Sequence, residues 1–282
     1  MSTIDPNPPT LSEAARFGLD YAREQLSGKS IVVLTGAGVS TESGIPDYRG
    51  EGKTERHPMT FDIFMGTEQA RKRYWARSYV GWSVMAKAKP NPSHYTLAQA
   101  ESQGRVTHLI TQNVDSLHQQ AGSRKVTDLH GRLDQVICMA CQVSLNRLDM
   151  DTLIEGLNPG IRKDLSVEFS PDGDAEIEAT ESFQIPGCPK CSGILKPNVV
   201  FFGENVPASR VASTMEELER ADALLVAGSS LAVNSGMRFA RAANKAGKPI
   251  VIVNIGPTKA DEIAVAKIEA PTSIALAGLL ID

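Results

Sequence analysis

The sequence predicts an α/β protein built around a parallel sheet. Short apolar runs rich in β-branched residues alternate with helical stretches along most of the chain, a pattern typical of parallel strands joined by crossover helices. A glycine-rich turn directly follows the first apolar run. Two segments interrupt the alternation, and one of them holds all four cysteines, which indicates insertions into a single core.

The individual elements follow from the hydrophobic pattern. Buried strands are predicted, as parallel neighbours, at residues 30–35, 106–110, 223–227 and 249–253. Helical periodicity covers residues 11–25, 61–89, 93–103, 209–220 and 235–246. The last helix should stop at Gly247, with Pro249 just beyond it.

Chain length and composition suggest how the fold is organised. The 282 residues are 41% hydrophobic and 22% charged, which is enough for about two domains. We expect a Rossmann-like nucleotide-binding domain formed by residues 1–49, 104–135 and 195–282. Residues 50–103 form a helical insertion, and residues 136–194 form a smaller module in which residues 170–174 make a turn.

The charge balance argues against several classes of partner. Lysine and arginine total 29 against 33 acidic residues, for a net charge of −4 and a pI near 5.8, so the chain has no general basic field for nucleic acid or a membrane surface. The first ten residues resemble neither a secretory signal nor a transit peptide, and no apolar run reaches about 18 residues. We therefore expect a cytoplasmic location.

The cysteines form two Cys-x-x-Cys pairs, Cys138 with Cys141 and Cys188 with Cys191. Four thiolates in this arrangement suit a closed structural zinc site. Disulfide bonds are the alternative, and the lack of an export signal argues against them because the cytoplasm keeps thiols reduced. Four protein ligands leave no open position on the metal, so we expect zinc to be structural and not catalytic.

The glycine-rich turn predicts an anion site. Residues Gly36, Ala37, Gly38, Ser40 and Thr41 follow the first strand and should open a helix whose free backbone N–H groups face a pyrophosphate. Thr41 stands where the dinucleotide fingerprint has its third glycine, which counts against a hydride-transferring dehydrogenase. The following residues 44–49, with Pro46 among them, should form an ordered loop.

Polar turns follow the later strands. Gln112, Asn113 and Asp115 come after the second strand, and two amides with one carboxylate suit a cationic ring and ribose hydroxyls. Two further turns follow the later strands, where α/β sheets bind ligands: Gly228, Ser229, Ser230, Asn254, Ile255 and Gly256. Ordinary strand-to-helix connections are the alternative for these two turns.

These motifs, together with His130 followed by Gly131, occur in the order Gly-Ala-Gly-x-Ser, Gly-Ile-Pro-Asp-Tyr-Arg, Thr-Gln-Asn-Val-Asp, His-Gly and two Cys-x-x-Cys pairs. The series resembles that of the sirtuins. By spacing alone, any one of the five histidines, His130 included, is more often structural than catalytic. The resemblance implies that His130 is a general base, that Asn113 and Asp115 are catalytic, and that the cofactor is NAD⁺. Implied NAD⁺ contacts are the turn residues above together with Asp47, Tyr48, Arg49 and Thr272.

The implied activity is NAD⁺-dependent removal of acyl groups from lysine in proteins or peptides, releasing nicotinamide and O-acyl-ADP-ribose. The segment from Lys196 to Glu204 resembles the sirtuin segment against which a substrate peptide adds as a strand. Its implied substrate-binding residues are Val200, Phe201, Phe202 and Gly203.

Several tracts resemble the class II sirtuins, the group of the fourth human sirtuin. They are residues 74–77, 171–174, 182–184, 201–204 and 254–258. In that class a Tyr-x-x-Arg pair reads acidic acyl groups, and Tyr74 and Arg77 have this spacing, which places both on one helix face. An incidental arginine on a surface helix is the equally weighted alternative.

Three other functions remain open at this point. A mono-ADP-ribosyltransferase would use the same cofactor site, a non-catalytic sensor would bind NAD⁺ or ADP-ribose without needing His130, and a zinc amidohydrolase would need an open metal position. We expect a monomer with acylated lysine as partner and neither nucleic acid nor membrane.

Overall fold

The computed structural model describes residues 11–47, 58–161 and 182–281. Within them the strands form a six-stranded sheet and a three-stranded sheet. The strands are β1 (Ile31–Thr35), β2 (Val106–Thr111), β3 (Val126–Asp128), β4 (Gly131–Cys138), β5 (Ser144–Asn146), β6 (Leu195–Val199), β7 (Ala223–Ala227), β8 (Ile250–Val253) and β9 (Ala266–Ile268). The helices are α1 (Glu13–Leu26), α2 (Phe61–Gly66), α3 (Glu68–Met85), α4 (Pro92–Ser102), α5 (Leu117–Gln120), α6 (Arg147–Leu157), α7 (Ala208–Arg220), α8 (Asn234–Lys245) and α9 (Thr272–Leu280).

The larger sheet is parallel throughout, in the order β3-β2-β1-β7-β8-β9. Counted along the chain within this sheet, the order is 3-2-1-4-5-6, which characterises doubly wound dinucleotide-binding sheets. The predicted Rossmann-like core of parallel neighbours is confirmed. The strand order reverses between β1 and β7, and ligands bind such sheets at this point.

Both faces of the large sheet are covered. Ile31 and Val33 pack into an apolar cluster with α1, α4 and α9, while Val32 and Leu34 pack into a second cluster with α7 and α8. Because alternate residues of β1 face opposite sides, burial on both faces explains why the strands read as continuous apolar runs.

The smaller sheet is antiparallel, in the order β5-β4-β6. Its apolar core joins β4, β6 and α6 to α2 and α3, with Phe64, Trp75, Val136 and Met150 among its buried residues. Helix α4 also lies within the predicted helical insertion of residues 50–103, but it contributes Leu97 to the core of the large sheet. The division into three parts with the boundaries given above stays a prediction.

The single helical stretch expected over residues 61–89 is wrong, since two helices occupy it. The break is at Thr67, where the first helix ends and whose hydroxyl accepts a hydrogen bond from the Ala70 amide at 3.1 Å. A threonine hydroxyl that binds the backbone in this way starts a new helix. The turn expected at residues 170–174, together with Tyr48 and Arg49, lies outside the described residues.

No helix in the described part of the chain is both long and apolar enough to cross a membrane.

Candidate active site

The loops that leave the large sheet are joined edge to edge by backbone hydrogen bonds. The amide of Gln112, just after β2, donates to the carbonyl of Thr35 at 2.9 Å, and the amide of Gly36, just after β1, donates to that of Ala227 at 3.1 Å. Gly228 continues this pattern toward β8. The parallel register therefore places the predicted polar turns side by side at one edge of the sheet.

The glycine-rich turn forms two short 3₁₀ turns, Ala37–Val39 and Thr41–Ser43. A helical start therefore follows the strand as predicted, but as 3₁₀ turns, and the amide of Gly38 is not free because it donates to the carbonyl of Gly228 at 2.9 Å. The glycines serve a close backbone approach instead. A Cβ on Gly36 would lie 2.8 Å from the Gly228 carbonyl oxygen, and one on Gly38 would lie 2.9 Å from the Gly228 Cα.

A polar network crosses from this turn to the loop after β2. The Asn113 side-chain amide donates to the Gly36 carbonyl at 3.1 Å and to the Ser40 hydroxyl at 3.0 Å. The Ser40 hydroxyl donates to Asp115 Oδ2 at 2.7 Å, and the Leu117 amide donates to Oδ1 at 2.9 Å. These bonds fix the orientations of Asn113 and Asp115.

Burial raises the pKa of the Asp115 carboxyl, and the hydrogen bonds from Leu117 and Ser40 offset part of this effect. A cationic ligand near this carboxyl would favour its ionised form. The predicted pairing of amides and a carboxylate with a cationic ring is therefore electrostatically consistent.

His130 is held from both ring nitrogens. Its Nδ1 lies 2.9 Å from the Gln112 carbonyl oxygen, and its Nε2 lies 2.8 Å from the Ser235 hydroxyl. A carbonyl oxygen only accepts, so Nδ1 carries the proton and Nε2 presents a lone pair. Burial lowers the pKa of His130, the Gln112 carbonyl raises it in part, and the positive charge of Arg210 lowers it. The ring is thus a neutral base at pH 7.

The backbone conformation and the close packing at position 131 require glycine directly after His130. The φ of Gly131 is +82°, and a Cβ would lie 2.0 Å from the Asn198 carbonyl oxygen. Only glycine tolerates both conditions. The His130 carbonyl in turn accepts from the Val200 amide at 2.8 Å, which ties the histidine to the segment after β6.

The Gln112 side chain is fixed by the loop after β7 and by α8. The Ser229 hydroxyl donates to Gln112 Oε1 at 2.5 Å, and a Cβ on Gly236 would lie 2.6 Å from Gln112 Nε2. Gln112 therefore connects the predicted Gly228 turn to the loop that holds His130.

The turn after β8 is organised by Asn254. Its side-chain amide donates to the carbonyls of Ile255 at 2.9 Å and Gly256 at 3.1 Å, and the Ile255 side chain is exposed. Thr272 opens α9, and its hydroxyl shares a buried 2.8 Å hydrogen bond with Ser93.

The predicted substrate segment packs against α3. Phe201 is buried with its ring centroid 5.2 Å from that of Tyr74 and 5.1 Å from that of Phe64. Phe202 is exposed, and its carbonyl accepts from the Phe61 amide at 2.9 Å. Tyr74 is itself buried, whereas Arg77, one turn further along α3, is half-buried.

Lys196 and Glu204 stand at the two ends of the predicted substrate segment, and Ser235 is a contact of His130 that the sequence did not indicate. The buried ammonium of Lys196 lies 3.0 Å from Glu204, whose carboxylate accepts from the Phe201 amide at 2.9 Å, so this ion pair fixes the substrate segment. Opposite charges on either side of an apolar run were the available signal. Ser235 gave none, because a serine at the start of a predicted helix is ordinary.

The four cysteine sulfurs converge, with all Sγ atoms within 4.8 Å of one another. Cys138 and Cys191 are 3.5 Å apart, and Cys141 and Cys188 are 3.8 Å apart. These distances exclude disulfide bonds, which need about 2 Å. A tetrahedral zinc site with Zn–S bonds of about 2.3 Å places its sulfurs about 3.8 Å apart, so the cluster fits structural zinc.

Comparison with known proteins identifies the family. The Sir2 family profile matches residues 36–235, which include the glycine turn, Asn113, His130 and all four cysteines. The chain belongs to the Sir2 family. It is 51% identical over 253 residues to a Xanthomonas campestris protein named NAD-dependent protein deacetylase, covering 88% of this chain and 86% of that protein. A Bordetella bronchiseptica protein of the same name is 50% identical over 251 residues, covering 88% of this chain and 91% of its own.

Solved Sir2 structures share the fold. One described as Sir2 with a p53 peptide and NAD⁺ has a TM-score of 0.72 at 32% identity, covering 90% of this chain and 93% of that one. Another, Sir2 bound to an acetylated peptide, has a TM-score of 0.71 at 31% identity, covering 90% of this chain and 94% of that one. The sirtuin resemblance is thereby confirmed at the level of the Sir2 family.

Proposed function

We propose that this Sir2 protein is an NAD⁺-dependent protein lysine deacylase with deacetylase activity, releasing nicotinamide and O-acyl-ADP-ribose. The observation that carries the proposal is the geometry of His130. Its Nδ1 proton is held by the Gln112 carbonyl, which leaves Nε2 as an acceptor, and Gln112 directly precedes Asn113, whose side chain is bonded through Ser40 to Asp115. The relatives named NAD-dependent protein deacetylases support the same activity.

His130 takes the general-base role. When bound, NAD⁺ would supply a ribose carbon to which the acyl-lysine carbonyl oxygen bonds as the bond to nicotinamide breaks. The neutral Nε2 would then accept a proton from a ribose hydroxyl, whose oxygen bonds to the former carbonyl carbon, and the lysine amine would leave so that the acyl group stays on the ribose. A positioned base contributes about 10²–10⁴-fold to such a step.

Asn113 and Asp115 would act at the nicotinamide end of NAD⁺. Their mutual anchoring through Ser40 keeps an amide and a carboxylate in fixed positions, as charge stabilisation in a transition state requires. A negative carboxylate there favours the positive charge that develops on the ribose as nicotinamide leaves.

The remaining NAD⁺ contacts follow the sheet edge. The backbones of Gly36 and Gly38 approach the loop after β7 closely, at the point where the strand order reverses and such sheets bind ligands. We assign the turn with Ser229 and Ser230 and the turn with Asn254 and Gly256 to the adenosine half, with Thr272 at the end of the cleft. The assignments for Asp47, Tyr48 and Arg49 follow the family motif alone.

The acyl-lysine would lie along the segment after β6. The Lys196–Glu204 pair fixes this segment, and Val200 is bonded through its amide to His130, so a peptide added along Phe202 and Gly203 would place its acyl-lysine near the base. The loop of residues 228–234 would form the opposite wall.

A finer proposal concerns the acyl group. The Tyr74 ring contacts Phe201, so α3 borders the proposed acyl-lysine site, and Arg77 follows one turn later. If these two residues read a carboxylate, as the class II resemblance implies, glutaryl-like chains outcompete acetyl. A solved Sir2 neighbour bound to a propionylated peptide shows that another member of the family accommodates a larger acyl group than acetyl.

The four cysteines would hold zinc in a purely structural role. All four positions of a tetrahedral site are then filled by Cys138, Cys141, Cys188 and Cys191, and no reaction step passes through the metal. The monomeric state and the cytoplasmic location stay predictions from the sequence.

The test is nicotinamide release by the purified protein, with NAD⁺ and peptides bearing acetyl, succinyl, glutaryl, methylglutaryl or lipoyl lysine. Release that requires both NAD⁺ and an acyl peptide, and falls at least about 100-fold in His130→Ala, supports the deacylase. ADP-ribose transferred to protein without any acyl peptide would favour the transferase, and NAD⁺ binding without turnover would favour a sensor. Arg77→Ala should lose acidic acyl substrates selectively, and an equal loss for acetyl would disprove carboxylate reading.

A further inference from the structure

Ser235 contacts the nitrogen of His130 that the proposed mechanism uses as the base. Its hydroxyl oxygen lies 2.8 Å from Nε2 and is half-buried. Ser235 stands in the first turn of α8, whose N-cap is Val233 and which has no side-chain cap. A serine at a helix start usually bonds the backbone of its own helix, but this hydroxyl reaches the catalytic ring.

The direction of this hydrogen bond follows from the other ring nitrogen. Nδ1 faces the Gln112 carbonyl at 2.9 Å, and a carbonyl cannot donate, so Nδ1 holds the proton of the neutral ring. Nε2 is then an acceptor, and the Ser235 hydroxyl donates to it. In this direction the bond stabilises the neutral ring, in which Nε2 carries no proton.

We propose that Ser235 is a positioning residue for His130, which holds Nε2 unprotonated in the ligand-free protein until a ribose hydroxyl of the bound substrate takes its place. This inference rests on the proposed function.

The other groups around the ring leave room for this effect. Arg210 on α7 acts on His130 electrostatically and disfavours the imidazolium, as burial does. The segment after β6 carries Lys196 and Glu204, which pair with each other at 3.0 Å. Among these neighbours Ser235 is the one that bonds Nε2 directly.

The first readout is independent of turnover. In the ligand-free protein with labelled histidine, the His130 ring signals are assigned by their loss in His130→Ala and followed by NMR against pH. Ser235→Ala should raise the pKa of His130, because the neutral ring loses its donor. Ser235→Thr retains the hydroxyl and should titrate like the parent. Ser209→Ala, at an exposed serine in the first turn of α7, is the matched control.

The second readout is the pH profile of kcat/KM for an acetylated peptide, which reports the essential groups of the free enzyme. Ser235→Ala should shift the acid limb to higher pH, with about three- to tenfold lower kcat/KM there, as expected for the loss of one hydrogen bond. On the alkaline plateau, where Nε2 is unprotonated in both proteins, the loss of kcat/KM should be smaller than on the acid limb. A merely structural defect would lower kcat/KM by the same factor at every pH.

The inference is overturned if Ser235→Ala leaves the His130 titration unchanged, or if Ser235→Thr shifts it as far as Ser235→Ala does. A changed titration in a protein that shows no deacylation would retain the contact and reject the proposed function, so the two failures are distinguishable.

Discussion

The amide nitrogen of Gly38 lies 2.9 Å from the carbonyl oxygen of Gly228. This contact joins the loops after β1 and β7 where the strand order reverses, at the proposed NAD⁺ site. Gly228 has φ +60°, and a Cβ there would lie 2.5 Å from the Val39 nitrogen and 2.7 Å from the Gly38 carbonyl carbon. The packing of both loops therefore requires glycine at position 228, because any side chain there would clash with the backbone of Gly38 and Val39.

Gly228→Ala should widen the cleft and weaken NAD⁺ binding. The added methyl group must push the two backbones apart, and a left-handed alanine adds about 1 kcal/mol or more of strain. We expect at least about a tenfold weaker NAD⁺ affinity by calorimetry, with a lower Tm. The matched control is Gly156→Ala in α6, where a Cβ meets nothing within 4 Å. Unchanged affinity in Gly228→Ala would show that the close approach does not shape the cofactor site.

Asp115→Asn tests the network at the proposed nicotinamide end. Both carboxylate oxygens accept hydrogen bonds, from Ser40 and from the Leu117 amide, so the NH₂ group of asparagine must face a donor on one side. The charge is also lost. Nicotinamide release should fall at least about tenfold, since an unmet buried polar group costs about 1–3 kcal/mol. Burial raises the pKa of Asp115, so the rate of the parent should fall at acid pH as this carboxyl becomes protonated. The variant has no carboxyl at this position, so its pH profile should lack this part of the fall.

Removing the zinc should unfold the smaller module while the large sheet keeps its strands. We expect about one equivalent of zinc per chain by elemental analysis. Cys188→Ser should lose the metal and lower the Tm, because structural zinc contributes roughly 10–16 kcal/mol of apparent binding energy to local folding. Ser144→Ala, at an exposed serine of the same module, should change neither. A Cys188→Ser protein with full zinc content and an unchanged Tm would rule out the four-cysteine site.

The parallel core was readable from the sequence because β1, β7 and β8 are buried on both faces, and that burial requires continuous apolar runs. The three-residue strands β3 and β9 were not found, since so short a segment carries no period. The small antiparallel sheet was also missed: Pro197 lies inside β6 and pairs opposite Val136 of β4, and proline usually argues against a strand. Helix α9 was not predicted either, because it is apolar on most of its surface and shows no amphipathic stripe by which the sequence could indicate a helix.

For the candidate site, the family resemblance indicated His130, Asn113 and Asp115, whose roles stay predictions, and the two Cys-x-x-Cys pairs indicated the cysteine cluster, which the structure confirms. Contacts between distant segments could not be read. Ser235 is 105 positions from His130, and the break at Thr67 depends on a hydroxyl bond that many threonines could make. The 3₁₀ geometry of the glycine turn results from its packing on Gly228, which only the folded sheet brings near.

Two histidines buried behind the glycine turn should make the protein sensitive to acid. The rings of His94 and His118 have centroids 4.8 Å apart, and His118 Nε2 lies 2.9 Å from the Thr35 hydroxyl. Burial lowers the pKa of His94 to about 4. Burial, and then the charge of His94, lower that of His118 well below 6.5. Both rings are therefore neutral in the folded protein at pH values where the unfolded chain protonates them.

Because the unfolded chain binds more protons, the free energy of unfolding should fall as pH drops from about 6.5 toward 4, by about 1 kcal/mol per pH unit for each histidine. Below about 4 the contribution of His94 should level off, since both states are then protonated. Urea unfolding between pH 7 and pH 4 measures this slope. The slope for His94→Gln should be shallower than that for the parent by the contribution of one histidine. Because the cysteines titrate in both proteins, the difference between the two slopes isolates His94. Equal slopes would mean that His94 is protonated in the folded state, with its charge compensated inside the core.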